Sequence, residues 1–263
     1  MKAVILAAGV GSRLGRPFPK CLTQMPGGEP ILGRQIRILN ESGVNQVIVV
    51  VGFKKTLIME QYPEALYKYN PFYYITNTSK SLLCALENVD DDVLWVNGDV
   101  VFDSQLIRDV LDHPFNTTAV DRKKCGAEEV KYTEDDLGFI ASISKEVERP
   151  LGEAVGVNKI QKNDIKTFIQ ALKDCHDEDY FEKGMELAIS KGVKFKALDI
   201  SRYRCIEVDF EEDLIQAKDM FAISSPSPAK LMSIKPENPQ NGLPIELIEA
   251  KNLQRKLSKS SAG

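Results

Sequence analysis

Two rhythms of apolar and polar positions alternate along the first 221 residues. Short β-branched runs read as buried strands, and longer stretches with apolar residues three and four apart read as helices. Lys2–Ala7 is the first such strand, and Pro30–Ser42 is a helix with an apolar stripe of Ile31, Ile36 and Leu39, closed by Gly43. The alternation continues with strand Gln46–Val51, helix Lys54–Gln61, strand Phe72–Ile75, helix Ser79–Glu87, strand Val93–Val96, helix Ser104–Leu111 and strand Thr117–Val120. Strands separated by helices predict βαβ units on a mainly parallel sheet covered on both faces.

Past Cys125 the pattern changes. Val130–Tyr132, Phe139–Ser144 and Ala154–Asn158 are strand candidates with no long helix between them, which predicts an antiparallel insertion. Helices Asp164–Lys173 and Tyr180–Lys191 follow, then strands Phe195–Leu198 and Cys205–Val208 and a last helix, Glu211–Met220. From residue 222 onward the pattern stops: five of the thirteen prolines fall there and none of the twenty aromatic residues does. Such a composition buries little apolar surface and predicts a mobile tail or a linker, to a second domain or to a homodimer partner, with one amphipathic helix at Pro244–Leu257.

Composition narrows the function. The chain of 263 residues has a net charge of −4; the tail carries six basic and three acidic residues, leaving 28 basic against 35 acidic, or −7, on residues 1–221. An acidic body argues against a duplex-binding protein and its phosphate footprint, so no nucleic-acid partner is expected. The longest apolar runs, such as Ala3–Ala8 and Val47–Val51, fall far short of the ~20 residues that span a bilayer. Met1-Lys2 leads directly into a strand, without the layout of a signal peptide. Cys21, Cys84, Cys125, Cys175 and Cys205 are widely spaced and form no CxxC pair, which fits a reducing cytoplasm.

The most informative stretch is Val4-Ile-Leu-Ala-Ala-Gly-Val-Gly-Ser-Arg-Leu14, followed by Pro19-Lys20. A strand here empties into small residues and two glycines, so the backbone can turn tightly and bring its N–H groups close to an anion. The plain alternative is a tight βα turn with solvated basic residues. A dinucleotide fingerprint would need a third glycine where Leu14 stands and an acidic residue where Gly52-Phe53 stands; a Walker A loop would need Gly-Lys-Ser/Thr. Neither is present.

Leu6-Ala-Ala-Gly-x-Gly-x-Arg-Leu14 with Pro19-Lys20 resembles the signature of nucleotidyltransferases that join a phosphorylated small molecule to an NTP. Further along, Asn77–Ala85, Trp95–Phe102, Glu153–Lys159, Asp179–Glu182 and Ile206–Asp209 look more like the cytidylyltransferases acting on phosphocholine, aminoethylphosphonate and related compounds. The resemblance covers residues 1 to about 221. It implies an α/β, Rossmann-like nucleotidyltransferase fold, three layers α/β/α around a mixed, mostly parallel sheet with a small antiparallel insertion, and a reaction that needs Mg²⁺ and CTP and releases pyrophosphate. Two features depart from the pattern: the short loop Gly15–Pro19 and the basic segment Asp121–Cys125.

In-line attack of a phosphate or phosphonate oxygen on the α-phosphorus needs positioning and charge neutralisation rather than a base, because the nucleophile is already anionic. A chain with two histidines can therefore still be an enzyme. Asp99, after strand Val93–Val96 and a glycine, falls at the carboxyl edge of the sheet and is assigned to Mg²⁺. Glu207 and Asp209 alternate along one strand, so two hard oxygen ligands face the same way. Arg13 and Lys20 are assigned to the triphosphate, and Lys131 to the acceptor or α-phosphate. Backbone at Leu6, Ala7, Ala8, Gly9, Gly11 and Gly98, with the hydroxyl turn Thr78, Ser79 and Ser81, is assigned to the nucleotide. Glu153, Tyr180, Phe181 and Glu182, with Trp95 as an additional candidate, offer aromatic faces and carboxylates to an ammonium-bearing acceptor. Two alternatives stay open: a sugar-1-phosphate nucleotidyltransferase using UTP or dTTP, and a non-catalytic nucleotide-binding module of a larger protein.

Overall fold

The computed structural model describes residues 1–222. The tail and its helix at Pro244–Leu257 lie outside the described residues. Among those described, no helix is long and apolar enough to cross a membrane.

Buried β-branched runs build the centre of one sheet. β1 (Lys2–Ala7) lies between β2 (Val47–Val51) and β4 (Val93–Asn97), parallel to both, and β3 (Leu66–Tyr69) extends the parallel edge beyond β2. β9 (Gly152–Ile160) runs antiparallel between β4 and β6 (Asn116–Asp121), and β10 (Phe195–Asp199) closes that side parallel to β6. β7 (Lys131–Glu134) and β8 (Ile140–Ser144) form a hairpin attached to the start of β9. A separate two-stranded sheet pairs β5 (Val100–Phe102) antiparallel with β11 (Cys205–Glu207).

Because side chains alternate across a strand, the two faces of the sheet carry different sets. Val4, Leu6, Val93 and Trp95 face a layer of α3 (Thr78–Leu86), α5 (Lys162–Asp174) and α6 (Phe181–Ser190). Ala3, Ile5, Leu94 and Val96 face α1 (Ile31–Glu41), α2 (Lys55–Gln61) and α4 (Ser104–Asp112). The result is three layers with a mixed, mostly parallel sheet, as expected. A smaller cluster, with Val101, Val208 and Leu214, seats the last helix, α7 (Glu211–Met220), against the small sheet.

Three expectations need correction. Phe72–Ile75 is a turn, and the strand is Leu66–Tyr69. That strand pairs on one side only and is largely exposed, so it lacks the buried apolar run that marks the inner strands. Ala154–Asn158 belongs to the long central strand β9, so the insertion reduces to the β7–β8 hairpin. A register shift between Thr118 and Val120 bends the β6–β9 pair there and interrupts its pairing. Cys205–Val208 joins the small sheet rather than the main one, and its partner β5, only three residues long, gave no sequence signal. Trp95 is core: its ring stacks on Phe168 at 5.1 Å and meets Phe181 and Phe195 edge-on at 5.8 and 6.5 Å.

Burying this aromatic cluster secures one whole face of the sheet. Phe168→Ala should destabilise the fold by about 3–5 kcal/mol, the usual cost of emptying a large aromatic site. Denaturant unfolding followed by fluorescence of Trp95, the single tryptophan, will measure it; a loss below about 1 kcal/mol would contradict the packing described.

Candidate active site

At the carboxyl ends of β1 and β4 a cavity of about 870 Å³ opens, lined from both sheets and from α3, α6 and α7. Two backbone ties and one buried side chain assemble its floor. Gly98 N–H donates to Leu6 O at 2.9 Å, so the turn after β4 lies directly on the end of β1. A Cβ at Gly98 would stand 2.6 Å from that same Leu6 oxygen, so the approach requires glycine. Val208 N–H donates to Asp99 O at 3.0 Å, which joins the small sheet to the turn. Gln35, buried in α1, spans the turn from beneath, donating to Asn97 O at 2.8 Å and Val100 O at 2.7 Å.

These ties bring three carboxylates together. Oxygens of Asp99, Glu207 and Asp209 lie within 4.8 Å of one another. Asp209 sits just past the end of β11, where Asp213 of α7 accepts from the N–H groups of Asp209 and Phe210 at 3.0 and 2.7 Å. Lys20 supplies the counter-charge, its ammonium 2.7 Å from Asp99 Oδ2 and 2.5 Å from Asp209 Oδ1. Burial pulls the Lys20 pKa down, but Asp99 and Asp209 outweigh it and the net shift is upward, so the side chain is a fixed cation. Glu207 is pushed well above the usual carboxylate range, first by its protein surroundings and then by Asp99 and Asp209. Its side chain is open to the cleft by surface area, yet protein crowds the carboxylate on its other sides.

A divalent cation fits these groups. The donors are hard oxygens from three carboxylates, and Asp99 Oδ1 is buried without a partner. An ion there would reverse the mutual repulsion that raises Glu207.

The glycine loop forms the next wall. Gly11 has φ +62°, and a Cβ there would meet Lys20 Cβ at 2.8 Å, so the loop folds closely over the lysine. Arg13 reaches Asp209 at 3.2 Å and Glu128 at 3.6 Å. Across the cleft, Tyr180, Phe181 and Glu182 begin α6, and Phe181 N–H donates to the Thr78 hydroxyl at 3.0 Å, which couples the starts of α3 and α6. The Glu182 carboxyl is pushed up to about 7 by burial, against which its own backbone N–H and the Lys145 charge act only in part.

A profile of the MobA-like NTP transferase domain matches residues 3–149, more than half of the chain. The chain belongs to this family. A curated relative, the CMP-5'-(3-aminopropyl)phosphonate synthase of Streptomyces rubellomurinus, is 39% identical over 116 residues, which cover 41% of this chain and 18% of that protein. The chain thus spans less than a fifth of that relative's length. The UTP–glucose-1-phosphate uridylyltransferase of Haloferax volcanii is 28% identical over 242 residues, 83% of this chain and 95% of that one. Among solved structures, the CTP:phosphocholine cytidylyltransferase of Streptococcus pneumoniae superposes with a TM-score of 0.71 at 23% identity, covering 83% of this chain and 98% of that chain. The two share a fold.

The cavity gathers most of the residues singled out from the sequence: Leu6, Ala7, Gly9, Gly11, Arg13, Lys20, Thr78, Gly98 and Asp99 from the matched segment, and Glu153, Tyr180, Phe181, Glu182, Glu207 and Asp209 beyond it. Ala8 does not line it; its carbonyl accepts from Phe53 N–H. Ser79 and Ser81 turn inward and are buried, with Ser81 Oγ accepting from Asn70 at 3.0 Å. Lys131 also points away, donating to the Lys145 carbonyl at 2.6 Å, so Lys145 and Lys123 are the lysines of that wall. Lys123 comes from the basic run after β6 and pairs with Glu153 at 2.7 Å, which answers that carboxylate from within the chain. Neither Gln35 nor Lys145 carries a sequence signal, since each reads as one more polar residue in a helix or turn.

Two measurements follow from this geometry. Lys20→Met leaves three carboxylates facing one another and should cost about 2–3 kcal/mol, below the 3–5 typical of a fully buried pair. Mg²⁺ should raise the melting temperature of this variant more than that of the wild type; an equal response would refute the placement of Lys20 as the counter-charge. The buried Glu182 carboxyl prefers its proton in the folded chain, so stability falls as pH rises from about 4.5 to 7 and stays lower above it. Glu182→Gln should remove that slope and raise stability at pH 8 by about 3 kcal/mol, read from urea unfolding across that range.

Proposed function

We propose that this MobA-like domain is a Mg²⁺-dependent cytidylyltransferase, transferring CMP from CTP to a small phospho- or phosphono-compound of the phosphocholine, phosphoethanolamine or 2-aminoethylphosphonate type, with release of pyrophosphate. The observation that carries the reading is Lys20 held between Asp99 and Asp209 beneath the glycine loop, a cation and a cation-binding cluster meeting where phosphates would arrive. We take residues 1–221 as the transferase unit, working in the cytoplasm, and residues 222–263 as a linker or docking arm.

In this reading Asp99, Glu207 and Asp209 hold the metal, which supplies Lewis-acid polarisation and charge neutralisation to phosphate oxygens. Lys20 and Arg13 balance the triphosphate and the charge that builds on departing pyrophosphate. Their carboxylate partners would otherwise oppose an incoming polyphosphate, so phosphate binding exchanges internal ion pairs for external ones. The acceptor oxygen is already anionic and needs no base. In keeping with this, neither His113 nor His176 is among the residues lining the cavity. Glu182, at the start of α6, offers the acceptor's nitrogen a carboxylate. The names of the Streptomyces relative and the pneumococcal structure, one a CMP-phosphonate synthase and the other a CTP:phosphocholine enzyme, support cytidine and this acceptor class.

A second reading, a sugar-1-phosphate transferase using UTP or dTTP, draws on the Haloferax relative, which aligns over nearly its whole length. A buried carboxylate in the acceptor wall favours the first, because a cation compensates it better than a sugar hydroxyl does.

A pyrophosphate-release screen of the common nucleoside triphosphates against phosphocholine, phosphoethanolamine, 2-aminoethylphosphonate and hexose 1-phosphates tests both. Turnover is expected with CTP and an amine-bearing acceptor; turnover confined to UTP or dTTP with hexose phosphates would replace the first reading by the second. Asp99→Ala and Asp209→Ala should each lower kcat by about 10³-fold or more, and retained turnover in either would end the metal assignment.

A further inference from the structure

Quaternary ammonium groups are recognised by open aromatic faces, whereas primary ammonium groups are recognised by oxygen acceptors for their N–H donors. The cavity treats these two chemistries differently. Four aromatic side chains line it among the described residues, and each already has a partner. Lys145 Nζ lies 4.7 Å from the centroid of the Tyr180 ring. The guanidinium of Arg13 lies 5.8 Å from Phe210, and that of Arg202 lies 4.9 Å from Tyr203. Phe181 is 1% exposed and packs edge-on against Trp95. A second cation drawn to the Tyr180, Phe210 or Tyr203 rings would meet the charge of the chain's own cation there.

The α6 wall offers the other chemistry. Glu182 lines the cavity at 6% exposure, and its Oε2 has no hydrogen-bond donor within the protein. A buried carboxylate oxygen without a donor carries a desolvation cost that a ligand N–H removes and a trimethylammonium, which has no N–H, does not. Sites of this kind reject an analogue that lacks the donor far more strongly than an apolar pocket rejects an altered methyl group, because the site's own polar atom is left unpaired.

Resting on the functional reading above, we propose that the acceptor pocket selects a primary ammonium head group and rejects a quaternary one. Glu182 is the selecting residue, and Lys145, lodged on Tyr180, closes the aromatic route. Lys131 acts one step further out as a positioning residue: its ammonium holds the Lys145 carbonyl and with it the turn that carries Lys145 over the ring.

The test compares 2-aminoethylphosphonate with its N,N,N-trimethyl derivative, both by kcat/KM with CTP and by calorimetric Kd without turnover. The wild type should favour the primary amine by about 10²-fold or more. Glu182→Gln should cut that ratio to below about 10-fold, mainly through weaker binding of the primary amine. Lys145→Met should tighten binding of the trimethyl compound several-fold while the KM for CTP stays within about two-fold, and Lys131→Met should shift it the same way by less. Circular dichroism and CTP affinity confirm that each variant folds; should Glu182→Gln fail to fold, the wild-type ratio and Lys145→Met still decide. A trimethyl compound bound and turned over within about three-fold of the primary amine overturns the proposal and leaves the cytidylyltransferase reading intact. A preserved Kd ratio with no turnover on any nucleotide upholds the selectivity and overturns that reading instead. Absence of binding by either compound overturns the proposal, and the pyrophosphate-release screen then decides the cytidylyltransferase reading on its own.

Discussion

Three carboxylates held within 4.8 Å of one another repel, and most of the cavity's architecture exists to hold them there. At an effective dielectric near 20, each ionised pair at that distance costs about 3.5 kcal/mol. Lys20 offsets part of this by touching two of the three, and Glu207 has its proton affinity raised, first by burial and then by Asp99 and Asp209. The backbone ties carry what electrostatics opposes. Gly98 lies on Leu6, Val208 on Asp99, and Asp213 fixes the turn that presents Asp209. A site that gathers like charges at its own expense is poised to gain from an arriving cation and polyphosphate.

The same logic extends across the cleft. Arg13 approaches Glu128, an exposed carboxylate, at 3.6 Å, a solvated partner that is exchanged at little cost, whereas Lys145, 3.4 Å from the same carboxylate, also rests on the Tyr180 ring. Glu153 is different, since Lys123 already answers it. That wall is therefore defined less by how many charges it holds than by which of them are already compensated.

The fold was legible in the sequence wherever burial is symmetrical. β1, β2 and β4 are buried on both faces and read as continuous apolar runs, and the helices between them show clear stripes. β3 was missed because an edge strand with an exposed face has no such run. β9 was misread because its direction and its place between β4 and β6 are properties of its neighbours and not of its own residues. In the site, Arg13 and Lys20 were singled out from the glycine-loop signature and Asp99 and Asp209 from their places at strand ends, and the structure brings all four to one cavity. Lys131, placed near the phosphates by the resemblance, instead donates to the Lys145 carbonyl, because a motif match does not say how far a long, flexible lysine reaches before finding an acceptor.

What the sequence determined by itself is therefore the local content: the glycine turn, the acidic and basic residues at strand ends, and the alternation that makes a layered α/β fold. Each depends on residues within a few positions of one another. The tertiary structure alone decided that Gln35 supports the Asp99 turn, that Lys20 is shared between carboxylates 79 and 189 residues away, and that Lys145 occupies the aromatic face of Tyr180. These pairings span the chain, and short-range periodicity carries no information about which distant charge will be left to answer which.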